Sequence, residues 1–450
     1  MTFTGIQAEA HRIAHDLRDR GLRPGDAILV SLARGPAWLP ALLGIWQAGG
    51  VAIPVASRDP ATITSFLQHT GARFRFCDGP PGPGWPAAYV IERHDPPATS
   101  PAELICPAHA YALPTSGSTG PPKLALVTHR TSASVMSGLA AAAGIGPGEH
   151  ALHTAAFTFS SSIRQLFVPL LTGAQVTVLA QDGPYTPGRL LAVASAAGIT
   201  SLDLTPSHMA GLVQILETDP DTPRPVALRR LLVASETLTS ALVARWRRAV
   251  QVPHELVHLY GQTETGGAVS ALRHADTVAP GSARLPLALP FQPFTPHFDE
   301  HPDGTAELLL AGLDPADGIL AGNTLDRGRH DPAQPAGAGL HRTGDLFTRD
   351  PGGWLFFHGR ADEQIKILGI RVDIATLEQE ISALPGVGQA VAAAVPRGAT
   401  TTMVGIGYTA APAPAGPADD LISAEAARRL HPALPPPRAV RLNEVPLNRS

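Results

Sequence analysis

The chain has 450 residues, 44% of them hydrophobic and 16% charged, and a formal net charge of −4. That length supports two to four structural units with sizeable cores, and the balance is that of a globular protein rather than a disordered one. A weakly acidic chain advertises no nucleic acid and no membrane surface as partner, and no apolar run approaches the ~20 residues of a membrane span.

Residues 4–20 read as an amphipathic helix closed by Gly21, with charges throughout and none of the pattern of a signal peptide. AILVSL (27–32) reads as a strand, WLPALLGIWQAGG (38–50) as a helix ending in glycines, and VAIPVA (51–56) as a second strand. The only cysteines are Cys77 and Cys106, so a cysteine-based metal site is excluded and a reducing, cytoplasmic setting is expected. Further on, residues 108–113 form a strand and 131–143 a helix, 170–179 and 199–204 form strands with a helix over 187–197 between them, 228–235 a strand, 240–250 a helix and 256–260 a strand. Strands alternating with helices predict an α/β fold with parallel sheet. Beyond residue 267 the pattern becomes mostly β. LPLALPFQPF (285–294) and ELLLAG (307–312) are apolar segments, 313–340 is a Gly/Pro/Asp-rich loop, and 341–360 reads as two strands around a DPGG turn. Residues 363–384 predict strand, turn and helix; 385–395 and 403–410 predict strands, and 423–430 a short helix. A small α+β unit therefore closes the chain.

One stretch carries the chemistry, YALPTSGSTGPPK (111–123). The hydroxyls of Thr115, Ser116, Ser118 and Thr119 stand around Gly117 and Gly120, and Lys123 follows. Hydroxyls and exposed backbone N–H groups suit a phosphate, and glycine lets the backbone approach it. The spacing is not that of a Walker loop, and a serine- and glycine-rich surface turn is the plainer reading. Lysine usage argues for the phosphate: of 34 Lys and Arg residues only Lys123 and Lys366 are lysine. An otherwise arginine-only chain has kept a compact ammonium on a flexible stem here.

TSGSTGPPK (115–123), YGQTE (260–264), HRTGD (341–345), GRADEQIK (359–366) and ILGIRVDIATLE (367–378) occur in the order, and with roughly the spacing, of the adenylate-forming superfamily. That superfamily holds acyl-CoA synthetases, luciferases and nonribosomal peptide synthetase adenylation domains. The segment 23–55 resembles its early region as well, so the resemblance covers nearly the whole chain.

The resemblance implies a large N-terminal core over 1–359 of two Rossmann-like αβ subdomains plus a small β-barrel-like subdomain. A hinge at 360–362 and a small mobile α+β lid over 363–450 follow. It implies that a carboxylic acid attacks the α-phosphate of ATP·Mg²⁺ to give an acyl-adenylate. A thiol, of a carrier protein's phosphopantetheine or of CoA, then takes the acyl group. A degenerate domain kept as a binding partner is the alternative from another class. Carried over residue by residue, Thr115–Gly120 and Lys123 wrap the outer phosphates, and Tyr260 with Gly261 lies against the adenine. His258, at a position that often carries Asn, contacts the adenine edge or is simply a strand-buried histidine. Ser235 and Glu236 belong to the same nucleotide surface. Thr263 touches the α-phosphate, Glu264 holds Mg²⁺, Asp345 accepts from the ribose hydroxyls, and Arg360 reaches ribose and phosphate. Asp362 is the hinge residue, and Lys366 and Gly369 line a thiol tunnel.

The acid pocket departs from the family. Anchored on Pro169–Ala174, the segment 155–174 puts Ser160 where enzymes for α-amino acids carry an aspartate. A serine leaves a buried substrate ammonium without a counter-charge, which is costly, so aryl, β-amino or other non-α-amino acids are expected. Phe159, Ala234, Leu259 and Gly267 are further wall positions. Arg164 either recognises a second carboxylate or polar substituent at the pocket floor or points to solvent. Relatives continue a stretch like EVPLNRS (444–450) with Gly-Lys, whose lysine bridges carboxylate and α-phosphate. The sequence as it stands is therefore expected to bind nucleotide and to adenylate slowly.

Overall fold

The computed structural model describes residues 1–79, 89–94, 104–115, 123–179, 185–278, 282–314, 317–321, 324–326, 340–361, 364–368, 370–397, 401–410, 418–430 and 434–442. The first third runs α1 (Phe3–Asp19), β1 (Ala27–Ser31), α2 (Trp38–Ala48), β2 (Val51–Pro54), α3 (Pro60–Thr70), β3 (Phe74–Asp78), β4 (Tyr89–Arg93), β5 (His109–Pro114) and β6 (Leu124–Thr128). The middle runs α4 (His129–Ala143), β7 (His150–His153), α5 (Ser160–Leu171), β8 (Gln175–Val178), α6 (Pro187–Ala196), β9 (Ser201–Leu204), α7 (Pro206–Thr218), β10 (Arg230–Val233), α8 (Ser240–Val250), β11 (Glu255–Gln262), β12 (Gly267–Arg273) and α9 (Ala275–Val278). Then come β13 (Thr295–Glu300), β14 (Ala306–Ala311), β15 (Gly318–Ala321), β16 (Thr324–Asp326), β17 (His341–Arg349) and β18 (Leu355–Arg360). The last part is β19 (Gln364–Ile367), β20 (Ile370–Asp373), α10 (Ile374–Ser382), β21 (Val387–Arg397), β22 (Thr401–Ala410), α11 (Asp419–Arg429) and β23 (Arg438–Arg441).

Two large sheets carry the architecture. The first has the order β16-β15-β6-β5-β2-β1-β3-β4, and the second β12-β11-β10-β9-β7-β8. Strands β1 and β2 are apolar nearly throughout and buried along their whole length, as strands covered on both faces must be. In the second sheet β7 pairs in parallel with β8 on one side and β9 on the other. The chain thus leaves β7 through α5 to one side and returns through α6 to the other. The carboxyl ends of β7 and β9 are a topological switch point, where open α/β sheets form a crevice. A four-stranded antiparallel sheet, β13-β14-β17-β18, packs beside them. The final part has its own hydrophobic core, built on Ile367, Ile370, Leu377, Ile381, Val404, Ile406, Tyr408 and Ile422.

Several elements differ from the sequence reading. The hydroxyl- and glycine-rich stretch leads into a second strand, so it is the connection of an antiparallel hairpin, β5–β6. Helix α5 runs through the segment 155–174, to which the sequence reading gave pocket positions but no helix, and takes the first two residues of the strand expected over 170–179. Its N-cap residue is Phe159, which makes no side-chain cap bond, and Pro169 lies inside its last turn. It therefore lacks the usual start signal and carries a breaker. By contrast α6, α7 and α8 each start on a threonine cap, Thr186, Thr205 and Thr239. Two short strands, β15 and β16, lie in the stretch read as a loop, and β15 pairs with β6 to extend the first sheet. Residues 285–294 are mostly irregular, touching β-structure through an isolated bridge of Leu287 with Leu355.

Candidate nucleotide and acid site

The hairpin β5–β6 closes on the residues the sequence singled out: the Thr115 amide donates to the Lys123 carbonyl at 2.9 Å. Lys123 is exposed at the start of β6. Ser116, Gly117, Ser118, Thr119 and Gly120 lie outside the described residues, as do Asp362 and Gly369. For Lys366 only the backbone, in β19, is described.

A buried polar cluster is centred on Asp345, which is 1% exposed. Antiparallel pairing of β17 and β18 sets Asp345 directly opposite Arg360, and the guanidinium Nη1 donates to Oδ1 at 2.5 Å. From β11, the Tyr260 hydroxyl and Gln262 Nε2 each donate to Oδ2 at 2.7 Å. Gln262 Nε2 also donates to the Thr343 carbonyl at 2.7 Å. Burial, and then the adjacent Asp345 carboxylate, push the Tyr260 phenol well above its ordinary pKa, so it stays a donor. Its ring packs edge-on against Phe347, with centroids 5.1 Å apart. An ionised carboxylate has about four lone-pair sites, and three are filled by protein donors.

The turn after β11 holds Thr263 and Glu264, both half-buried. Backbone crowding shapes this segment. A Cβ on Gly261 would stand 2.0 Å from the Gly267 carbonyl oxygen, and Gly267 itself has φ +126°. Only glycine permits so close an approach of β11 to β12 at this register shift. The open side of Gly267 faces Val135 of α4 at 3.6 Å.

His258 is buried in β11, and its Nδ1 lies 2.8 Å from the Pro286 carbonyl, which fixes Nδ1 as the protonated nitrogen. Burial pushes its pKa down to about 4. Ser235 follows β10 with φ +77°, a strained left-handed backbone for a residue with a side chain. Glu236 Oε2 accepts from the Ser207 amide at 3.0 Å and the Ser207 hydroxyl at 2.6 Å, a carboxylate at the first turn of α7.

On the acid side, Ser160 is the first residue of α5 and half-buried. Phe159 packs against the core of the final part of the chain. Ala234 and Leu259 are buried at neighbouring strands of the second sheet. The structure corrects the solvent-facing reading of Arg164. It is 6% exposed, and its Nε and Nη2 donate to the two carboxylate oxygens of Asp203, both at 2.7 Å. The fork expected to read a substrate group is held by the protein's own carboxylate. Burying an arginine that deeply requires such a partner.

Three residues escaped the sequence reading. Gln262 sits within YGQTE and shares a strand face with Tyr260 by the two-residue period, which is a legible signal. Asp203 is the one charge in the buried strand SLDL, and an unpaired buried carboxylate is too costly to stand alone. Gln165 gave no signal: its Oε1 accepts from the Thr154 amide at 2.9 Å and the Ala155 amide at 3.0 Å, and its Nε2 donates to the Asp203 carbonyl at 3.1 Å.

Comparison with known proteins gives the family. A non-canonical nonribosomal peptide synthetase, CymA of Salinispora arenicola, is 31% identical over 99% of this chain, which spans 6% of that protein. The phosphinothricin tripeptide synthetase PhsB of Streptomyces viridochromogenes is 30% identical over 85% of this chain, corresponding to 33% of its own length. The chain therefore spans only a minor part of these curated relatives. Among solved structures, the artificially fused adenylation–PCP di-domain NpsA-ThdA from Klebsiella oxytoca matches 98% of this chain and 89% of its own, with a TM-score of 0.75 at 21% identity. At that identity it shares the fold. The AMP-binding enzyme family matches residues 1–290, and to that family the chain belongs.

Proposed function

We propose that the chain activates a carboxylic acid as its acyl-adenylate at the expense of ATP and passes the acyl group to a carrier-protein thiol. The observation that carries this reading is the Asp345 cluster, a buried carboxylate reached by donors from β11 and β18 beside the Thr263–Glu264 turn. One lone pair of Asp345 remains for a ribose hydroxyl, and a second hydroxyl binds if Arg360 releases Oδ1 and turns to phosphate. Glu264 would hold Mg²⁺ as a single carboxylate, completed by phosphate oxygens and water, which suits an ion that dehydrates reluctantly.

In the first half-reaction a carboxylate oxygen bonds to the α-phosphorus, the bridging P–O bond to the β-phosphate breaks, and pyrophosphate leaves with the electron pair. No protein nucleophile is needed; the residues position the reactants and offset phosphate charge. Lys123 and Arg360 are the cations, and Thr263, next to Glu264, is the donor to the α-phosphate. In the second half-reaction the thiol loses its proton, sulfur bonds to the acyl carbon, and AMP departs. The carrier reading draws on relatives described as nonribosomal peptide synthetases and on a solved neighbour that contains a PCP domain.

Pyrophosphate exchange over a panel of aryl, β-amino, aliphatic and α-amino acids tests the first step. Exchange with a non-α-amino acid is expected. Lys123→Ala should lower it about 10²-fold, the size of one transition-state charge contact, with adenosine affinity little changed. Exchange with no acid would sink the activation reading, and acylation of CoA rather than carrier protein would replace the acceptor.

A further inference from the structure

We infer that the Arg164–Asp203 pair is a specificity-determining floor, charge-neutral as built, that makes the pocket select acids whose far end is uncharged. The inference rests on the acid-activation reading above and names the substrate class of that site.

The pair lies where the fold itself places a ligand. Asp203 is the third residue of β9, near its carboxyl end, and Gln165 binds the residues following β7 to the Asp203 carbonyl. The two side chains therefore straddle the switch point between β7 and β9. Arg164 reaches it from α5, one helical turn on from Ser160. Arg164, Gln165 and Asp203 line, together with Leu139, Leu152 and Leu232, a cavity of about 20 Å³, the size of one water molecule. The cavity beside the pair is thus mostly apolar-walled, with Ser201 as a further polar residue, and has room for one water. Just upstream, Thr158 is 9% exposed, and its Oγ1 is buried without a hydrogen-bond partner.

Charge decides what such a floor accepts. Both carboxylate oxygens of Asp203 are taken by Nε and Nη2, so the guanidinium's positive charge is already matched. A second carboxylate on the substrate would have to share Arg164 with Asp203 at like-charge distance. A substrate ammonium would meet Arg164 beside the anion it seeks. Ser160 adds no charge of its own. What fits is a neutral end group, with Arg164 Nη1 as a donor to any ester, ketone or hydroxyl oxygen it carries.

The test uses the full chain and benzoic and hexanoic acids bearing at the far carbon a methyl ester, a carboxylate or an aminomethyl group. Their affinities are measured by titration calorimetry beside a non-hydrolysable ATP analogue, and their turnover by pyrophosphate exchange. The wild type should prefer the ester over both charged acids by at least tenfold. Asp203→Asn uncovers the guanidinium charge and should shift the carboxylate-to-ester ratio at least tenfold towards carboxylate. Arg164→Gln uncovers the Asp203 anion and should shift the ratio towards the aminomethyl acid. A wild type that prefers either charged acid overturns the inference, whether or not the variants fold. So does a folded variant whose ratio stays at the wild-type value. If exchange is absent with every acid, the activation reading fails, while the calorimetric ratios still decide the floor.

Discussion

Among the described residues two arginine–aspartate pairs are exposed by 10% or less on both sides, and they are built differently. Asp203 has one charged partner, held by both oxygens, on elements of a single sheet layer. Asp345 has three donors, Arg360, Tyr260 and Gln262, drawn from two sheets. The first pair is closed on itself and can be removed as a unit. The second is a junction, where taking away one member strands several others. A closed pair suits a wall that must stay neutral, whereas a junction suits a place where a ligand exchanges for one donor among several.

Alanine at either aspartate tests that contrast most directly. Removing one partner of a buried pair typically costs about 3–5 kcal/mol. Asp345→Ala is expected near the upper end of that range, because it takes an acceptor from three donors at once, and Asp203→Ala near the lower end. The double replacement Arg164→Met/Asp203→Leu should recover most of the loss, whereas Arg360→Met/Asp345→Leu should not, because the Tyr260 hydroxyl and Gln262 amide remain. Urea denaturation of the four variants measures this, and equal recovery in both doubles would erase the distinction.

His258 sharpens the comparison by pH. It lies on the same strand as Tyr260 and is held neutral at about 4 against an unfolded value near 6.5. Below pH 6.5 the unfolded chain takes up a proton that the folded one refuses. The stability this residue contributes is therefore complete above pH 6.5 and is lost as pH falls towards 4, by about 3 kcal/mol in all. His258→Gln should flatten the stability curve across that window while leaving it unchanged from pH 7 to 8. A curve identical to wild type would mean that the histidine is not buried as described. The smallest effect belongs to Tyr260→Phe, which removes one of the three donors to Asp345. A hydrogen bond to a charged group contributes about 1.5–3 kcal/mol, so the lower figure is expected because two donors remain.

Much of this was readable before any coordinates. The alternation of VAIPVA, LRRLLVAS and LVHLY with amphipathic stretches pointed to the α/β class that the two large sheets bear out. What escaped reading was decided by tertiary context. Helix α5 begins at an aromatic residue and contains a proline, so local preference argued against it and packing against α4 and β7 prevailed. Strands β15 and β16 sit in a composition typical of loops; β15 gains its pairing from β6, nearly 200 residues earlier, and β16 pairs in turn with β15. Asp203 and Arg164 are 39 positions apart, and only the fold shows that each answers the other's charge.

That late pairing of β15 with β6 also bears on how the chain is made. During synthesis β6 leaves the ribosome long before residues 318–321 exist, so its edge waits unpaired while the second sheet is being completed. Sequence-distant contacts form slowly, because loop closure precedes the reward. The first sheet is therefore the earliest begun and among the last finished, and its open edge is the surface most exposed to wrong pairing while the rest of the protein is still emerging.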